Sequence, residues 1–547
     1  MSQSIKHQLY ILVFALLLFI PFLGSVHLFD WDEINFAESA REMLVTGNYG
    51  TVQIDYKAFW EKPPLFIWMQ YLSMHIFGIN EMAARLPNAI CGLFSILILY
   101  RIGRKLYDEK FALLWVLAYA GSVLPFVYFK SGIIDPWFNL FIFIGLYYLI
   151  QFKNREVDSK GIVFILCSAI SLGLAILTKG PVALLIAGLV VAVYFVLNKF
   201  KFPTKWWHIL LFFVVLLAVG SAWFIYMALN GKFEVIQEFF VYQIRLFQTH
   251  DAGHSGFLLY HPVILFFGVF PASIIALLSY KKVNHDTLYQ RDFHKWMTIL
   301  FWVVLILFTI VRTKIVHYSS LCYFPISFLA AWVAYQVSER RIAFHKPLKI
   351  LLLAVSSLLS IGIILLTNIT LYKDWLIEKQ LIADKFALAN LQAIVPWSGY
   401  EWIVALLLPA GVALFILLLN KKYFITAFIS LYSSVALFTL LALYIIAPRV
   451  EGYSQRAALD FYESIKGKNC YVCTVGFKSY APLFYSAKPL PQNSNALIND
   501  SLLYGKMDKP VFIVMKNTKK EEFLSKNTSW KYIYERNGFV FCIRYSK

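Results

Sequence analysis

The sequence predicts an all-α polytopic membrane protein of about thirteen transmembrane helices, with a small C-terminal α/β domain outside the membrane. Composition sets the class: of 547 residues, 60% are apolar and 15% charged, and the mean hydropathy is +0.65. Soluble domains hold roughly 45–50% apolar residues. Burial improves only slowly with size, so a cytosolic globular protein could not hide this much apolar surface. Disordered and collagen-like chains are excluded on the same composition. The length of the apolar stretches sets the architecture, and a change of pattern after about Ala447 marks the appended domain.

A membrane-crossing helix needs roughly 20 mainly apolar residues. Such stretches run near 9–26, 83–100, 111–129, 136–152, 161–177, 181–197, 209–229, 262–280, 296–311, 317–337, 350–367, 400–419 and 424–446. The first follows Lys6 with no small-residue cleavage site after it, so it reads as a retained span. Alternate loops are basic: Arg101, Arg104, Lys105 and Lys110; Lys153, Arg155 and Lys160; Lys199, Lys201 and Lys205. The series continues with Lys281, Lys282, Arg291 and Lys295; Arg340, Arg341, Lys346 and Lys349; then Lys421 and Lys422. The positive-inside bias places these loops and the N-terminus in the cytoplasm. The opposite loops, chiefly 28–82 and 230–260, are longer and more acidic. An odd number of spans then puts the tail outside. In it 453–467 looks helical, while 470–476, 510–516, 531–535 and 539–545 look like short strands. The expected division is a membrane domain, 1–446, and a soluble extracytoplasmic α/β domain, 447–547.

The net charge of +19 comes from 50 Lys+Arg against 31 Asp+Glu. No basic run is interleaved with stacking aromatics, so nucleic acid is not an expected partner; the excess belongs to the cytoplasmic loops. Six cysteines are too few for a disulfide scaffold. Cys470 and Cys473 form a lone C-x-x-C in a strand-like stretch, which suits a structural role or a disulfide with Cys542 better than redox catalysis. No G-x-x-x-x-G-K-[ST] loop is present, which argues against ATP-driven pumping.

The first outside loop is the richest in chemistry. It carries Asp30, Asp32, Glu33, Glu38, Arg41, Glu42, Asp55, Glu61 and Lys62. Residues 34–45 have helical spacing, which suits a helix lying along the membrane surface. After Pro63-Pro64, the apolar segment 65–77 is too short to span and reads as a second interfacial helix. Asp32-Glu33 and Glu61-Lys62 would then sit at headgroup depth, although acids at a helix N-terminus are also favoured by the helix dipole alone.

Trp31-Asp32-Glu33, Ala37-Glu38, Arg41-Glu42-Met43-Leu44 and Glu61-Lys62-Pro63-Pro64 together resemble the opening signature of polyprenyl-phosphate-sugar glycosyltransferases. The nearest pattern is that of the aminoarabinose (lipid A) transferases, within the protein O-mannosyltransferase superfamily of GT-C fold. Ile134-Asp135-Pro136, Leu177-Thr178-Lys179-Gly180 and Arg312-Thr313-Lys314 with Tyr318 extend the resemblance over roughly residues 10–340. The chain departs from that pattern twice. Phe59-Trp60 stands where the relatives usually have an aromatic hydroxyl, and Ile315-Val316-His317-Tyr318 stands where they tend to have Lys-Leu-Pro.

The resemblance implies a membrane glycosyltransferase that takes one sugar from a polyprenyl-phosphate donor to an extracytoplasmic acceptor: a lipid A-like glycolipid, an envelope polysaccharide or a protein. Nucleotide sugars do not cross a bilayer freely, so a site outside needs a lipid-borne donor. Its chain is held by many buried CH2 groups at about 0.8 kcal/mol each. Asp32 is the expected base or acceptor-orienting carboxylate. Lys62, Arg312 and Lys314 are the expected clamp on the departing phosphate, with Lys179 and Tyr318 as further contacts. For Lys179, packing at the Gly180-Pro181 turn competes with phosphate contact. For Asp135, capping of the helix that begins at Pro136 competes with a place in the cavity, and the resemblance favours the cavity. It also implies a divalent metal ion held by Glu61 and His254. With no second carboxylate assigned as covalent nucleophile, the anomer is expected to invert. Asp32, Glu61, Lys62, Asp135, Lys179, His254, Arg312 and Lys314 come from five separate outside segments, and none falls on the cytoplasmic side. The expected setting is the plasma (inner) membrane. A flippase for lipid-linked sugars is the rival; its ionisable groups should lie inside helices near the midplane.

Overall fold

The computed structural model describes residues 3–30, 32–153, 159–199, 205–248, 256–281, 283 and 285–546. Helices α1 (Gln3–Phe19), α2 (Asp32–Thr46), α3 (Leu65–Phe77), α4 (Glu81–Leu106), α5 (Glu109–Ala120), α6 (Val123–Tyr128), α7 (Asp135–Lys153), α8 (Ser159–Lys179) and α9 (Val182–Leu197) build the first half. A short hairpin, β1 (Gln53–Ile54) and β2 (Lys57–Ala58), lies between α2 and α3. Then follow α10 (Trp206–Gly220), α11 (Ala222–Leu229), α12 (Phe233–Gln248), α13 (Tyr260–Gly268), α14 (Ala272–Ala276) and α15 (Leu288–Ile310). A 3-10 turn at Val316–Cys322 leads into α16 (Tyr323–Ser338), and the membrane part ends with α17 (Lys346–Thr367), α18 (Lys373–Glu378), α19 (Lys385–Leu391), α20 (Leu407–Asn420), α21 (Phe424–Leu441) and α22 (Ala447–Gly452).

Among the described residues seven helices are long and apolar enough to cross a membrane, or eight with the pair α10–α11, which bends by 53°. Each of the thirteen apolar stretches in the sequence falls at least partly on helix, but the first leaves it at Phe19 and several others are interrupted. Residues 111–129 divide into α5 and α6 at Gly121-Ser122, and 262–280 into α13 and α14. Caps set several boundaries. The Asn80 side chain accepts from the Ala83 amide at the start of α4, Asp108 from Phe111 at α5, and Thr287 with Gln290 closes a capping box on α15. At the centre, residues 319–337 are buried throughout, whereas α17 has only 28% of its apolar stretch buried and lies at the periphery. The protein is a multi-pass, mainly helical membrane protein.

After α23 (Arg456–Ser464), strands β3 (Tyr471–Val475), β4 (Val511–Lys516), β5 (Lys531–Arg536) and β6 (Phe539–Arg544) form one sheet in the order β3-β4-β6-β5, parallel only between β3 and β4. Helices α24 (Ala481–Tyr485) and α25 (Asn499–Tyr504) lie between β3 and β4, and α26 (Lys520–Lys526) between β4 and β5. Cys473 and Cys542 share a register row but flank Ile513 of the intervening β4. Two strand spacings put them about 10 Å apart, beyond disulfide reach, and all six cysteines are free thiols. Of the two readings of the C-x-x-C, a structural role or a disulfide with Cys542, the disulfide is not formed.

The loop 28–82 and the tail share one apolar core. Leu28, Ile34, Phe36, Ala37 and Ala40 pack with Leu459, Phe461, Tyr462, Phe484 and Tyr485. Helix α2, expected along the membrane surface, is covered by protein: every residue from Glu33 to Met43 is buried. Its polar side chains are tolerated because they pair with one another and with the tail. Arg41 grips both Glu38 oxygens at 2.6 Å, the Tyr56 amide donates to Glu42 Oε2 at 2.8 Å, and the Tyr56 hydroxyl donates to the Lys488 carbonyl at 2.5 Å. The Lys488 ammonium pairs with Asp55.

Candidate active site

A cavity of about 640 Å3 opens where α2, the 59–64 loop, α7, α8, α12, the 311–318 segment and the tail converge. Asp32, Glu61, Lys62, Asp135, Lys179 and Tyr318 all line it. Six of the nine residues singled out from the sequence thus meet in one hollow.

Asp32 is the first residue of α2, where the helix dipole favours an acid. Its Oδ2 lies 2.9 Å from His317 Nε2, and His317 Nδ1 lies 2.9 Å from the Tyr128 hydroxyl. Burial would raise the Asp32 pKa, but the His317 hydrogen bond and the charges of His317, Lys62 and Lys179 outweigh it and hold the carboxyl below its ordinary value. The neighbouring Glu33 has a different job. Arg85 donates to both its oxygens, from Nε at 3.0 Å and Nη2 at 2.8 Å. The Phe29 amide adds a bond at 2.9 Å and the Gly132 amide one at 2.5 Å. Burial again pushes up, and the guanidinium prevails to hold Glu33 ionised. Arg85 also holds the carbonyls of Leu23, Val26 and His27, so this buried pair locks the turn that delivers Asp32.

Lys62 sits in the loop ahead of Pro63-Pro64 with its ammonium 5.0 Å from the Tyr242 ring centroid. Burial lowers its pKa, against the raising influence of Glu61, Asp32 and Asp135. Lys179 ends α8 because Gly180 adopts φ +98°, a conformation that favours glycine. Its Nζ bonds Asp135 Oδ1 at 2.6 Å and lies 5.4 Å from the Tyr318 ring centroid and 5.5 Å from that of Phe138. Asp135 therefore serves the cavity by holding Lys179, besides beginning α7.

The remaining three residues are not in this group. Lys314 lies outside the cavity lining: its ammonium donates to the carbonyls of Phe308, Thr309 and Val311 at 3.0, 2.6 and 2.7 Å. A cation there satisfies the C-terminal carbonyls of α15, so the expected phosphate role is corrected to a helix-capping one. Arg312 is exposed and does not line the cavity. His254 lies outside the described residues. Glu61, its expected partner in holding a metal ion, faces the cavity. Among the described residues no three His, Cys, Asp or Glu side chains cluster to hold one.

Other lining residues were not singled out from sequence. His317 was visible there only as a departure from the family pattern. Tyr242 and Arg245, three apart on the strongly amphipathic α12, pack cation over ring at 5.2 Å; that spacing was a usable signal. Lys130 donates to carbonyls at the end of α1, and Lys478 reaches the lining from the tail; nothing local in the sequence marks either. Among the described residues five carboxylates line the cavity, Asp30, Asp32, Glu33, Glu61 and Asp135, opposite cations fit to hold an anion. Of these, Glu33 and Asp135 are paired with Arg85 and Lys179.

Residues 61–225 match the family model of dolichyl-phosphate-mannose-protein mannosyltransferases. Among curated proteins, the undecaprenyl phosphate-alpha-4-amino-4-deoxy-L-arabinose arabinosyl transferase of Photorhabdus laumondii is 24% identical over 329 residues, 58% of each chain. One from Proteus mirabilis is 25% identical over 345 residues, 62% of this chain and 61% of that one. The chain thus matches about three fifths of the length of these curated relatives. The crystal structure of ArnT from Cupriavidus metallidurans bound to undecaprenyl phosphate superposes with a TM-score of 0.78 at 19% identity, over 99% of this chain and 98% of the other. The oligosaccharyltransferase of Archaeoglobus fulgidus gives 0.52 at 13% identity, over 94% and 70%. The resemblance to the aminoarabinose transferase and O-mannosyltransferase superfamily stands, and the chain carries the GT-C fold.

Proposed function

We propose that this protein is an integral-membrane glycosyltransferase that moves one sugar from a polyprenyl-phosphate donor to an extracytoplasmic acceptor, with inversion at the anomeric carbon. The observation that carries the reading is the convergence of Asp32, Lys62, Asp135, Lys179 and Tyr318 on one cavity. Lys62 and Lys179 hold the donor phosphate and offset the charge that builds on it as the glycosidic bond breaks. Asp32 takes the proton of an acceptor hydroxyl as its oxygen attacks. Inversion is the reading because no second carboxylate is assigned as covalent nucleophile: Glu33 and Asp135 are each bound by a cation, and Glu61 is the residue assigned to a metal ion. Glu61 with His254 is the pair that would fasten a divalent ion; with one partner placed, no step is routed through it.

The thirteen helical stretches are read as thirteen crossings of the plasma (inner) membrane, with the basic loops and the N-terminus in the cytoplasm. The cavity and the α/β domain of 447–547 then face outward. The acceptor is a lipid A-like glycolipid, an envelope polysaccharide or a protein. The flippase alternative lacks support, because the grouped ionisable residues lie at helix ends and loops and not within spans.

The test is transfer of label from a panel of synthetic undecaprenyl-phosphate pentoses and hexoses to an envelope extract. The unsubstituted protein should transfer, and Asp32→Asn and Lys62→Ala should lose at least ~100-fold. Full activity in both variants would refute the site assignment.

A further inference from the structure

The departure at 315–318 places an imidazole where it touches the carboxylate assigned as base. Its geometry is fixed from both sides. Nε2 meets Asp32 Oδ2 at 2.9 Å, and Nδ1 meets the Tyr128 hydroxyl at 2.9 Å. Tyr128 is itself held, edge-on to the Tyr323 ring at 5.3 Å and edge-on to the imidazole at 5.6 Å. One neutral tautomer satisfies all three groups: Nε2–H donates to Asp32, and Nδ1 accepts from Tyr128. Oδ1 of Asp32 then remains to face the cavity, with no hydrogen bond to it among the described residues.

We infer that His317 is a positioning residue for Asp32, holding Oδ2 so that Oδ1 faces the acceptor hydroxyl, and that the base is competent only when the imidazole is neutral. The inference rests on Asp32 being the base of a glycosyl transfer. In the step, the acceptor O–H bond breaks and its proton goes to Asp32 Oδ1. The acceptor oxygen bonds the anomeric carbon, and the bond from that carbon to the phosphate oxygen breaks with its electron pair going to the departing phosphate. The proton later leaves Asp32 through the open cavity. A protonated imidazole would pair with the carboxylate as an ion and weaken it as a base, so the rate should rise as His317 deprotonates.

The groups facing His317 are Asp32 of α2, Tyr128 of α6, Asp135 of α7 and Lys179 of α8, with Tyr323 of α16 beyond Tyr128. From α13, His261 is turned to Ser319 of the same 3-10 turn. None of these other than Asp32 and Tyr128 bonds the imidazole.

The experiment uses the full-length protein in lipid nanodiscs and reads two quantities: the pH profile of sugar transfer from about pH 5 to about pH 9, and the affinity for unglycosylated undecaprenyl phosphate. The unsubstituted protein should show a limb rising with pH. His317→Gln keeps an N–H for Asp32 but cannot titrate; it should lose the limb and stay within about tenfold of the plateau rate. His317→Ala should fall about 100-fold in kcat, with phosphate affinity and donor KM changed less than about threefold. Tyr128→Phe should lower kcat by a smaller factor and keep the limb. An unchanged limb in His317→Gln would overturn the inference, as would a loss of phosphate affinity matching the loss of rate. If His317→Ala does not fold, His317→Gln and Tyr128→Phe decide the matter. No transfer by the unsubstituted protein from any donor would defeat the transferase reading first and this inference with it.

Discussion

Removing Arg85 should do more damage than removing any cation that touches the cavity without anchoring it. The guanidinium is buried, makes two bonds to Glu33 and satisfies three backbone carbonyls at 2.7–2.9 Å. Arg85→Met strands an ionised Glu33 in the interior with only two amide donors, a loss of about 3–5 kcal/mol for a broken buried pair. Glu33→Leu strands the guanidinium at similar cost. Replacing both removes the charges together, so the double variant should recover most of the sum, with a coupling energy of at least ~2 kcal/mol. The assay is a double-mutant cycle on the apparent unfolding midpoint of detergent-solubilised protein, followed by tryptophan fluorescence. Sugar transfer should track the fold: both singles lose it through displacement of Asp32, and the double variant regains part. Strict additivity, with the double variant as unstable as the singles combined, would refute the idea that this pair acts as one locking unit.

Other outcomes follow from the same structure. Lys314→Ala should cost about 1–2 kcal/mol by uncovering the end of α15 while leaving undecaprenyl phosphate affinity intact; Lys62→Ala should lose that affinity, and binding measurements on the two variants separate the roles. Burial and the neighbouring Glu38 push Glu42 up to about 9, so it is protonated at neutral pH. Glu42→Gln should therefore alter the unfolding free energy by less than ~1 kcal/mol, whereas Glu38→Gln breaks the pair with Arg41 and should cost about 3 kcal/mol or more. Burial lowers the His27 pKa, but its hydrogen bond to Glu451 raises it further, to a net value above 6.5. The stabilisation this contact gives is then complete below about pH 6.5 and is lost as pH rises through the raised value. A thermal midpoint that falls with alkaline pH in the unsubstituted protein but not in His27→Gln would show it.

Much of this was legible in the sequence for definable reasons. Span positions follow from apolar length, which the bilayer imposes. Asp32, Lys62, Asp135 and Lys179 were legible through the resemblance, since each stands in one of its motifs; helix ends and Pro or Gly neighbours alone left capping and packing open as readings. Lys314 was misread because one residue's backbone turn decides whether an ammonium meets a ligand or the carbonyls of its own helix, and spacing does not encode that turn. The cover over α2 was not legible for a related reason. The helical spacing of 34–45 shows nothing of the tail, and contacts to Lys488 and Tyr485 come from more than four hundred residues away. Lys478 is illegible for the same cause: its importance comes entirely from long-range contact.

The shared core of the opening loop and the tail has a consequence for biosynthesis. A nascent chain that has made every helix up to α22 still lacks Lys478 and the part of the α2 core that comes from the tail, and early segments alone, Phe66, Ile67 and Met74 among them, pack against α2. The last wall of the cavity is therefore set only once synthesis has reached the tail, after the rest of the lining is in place.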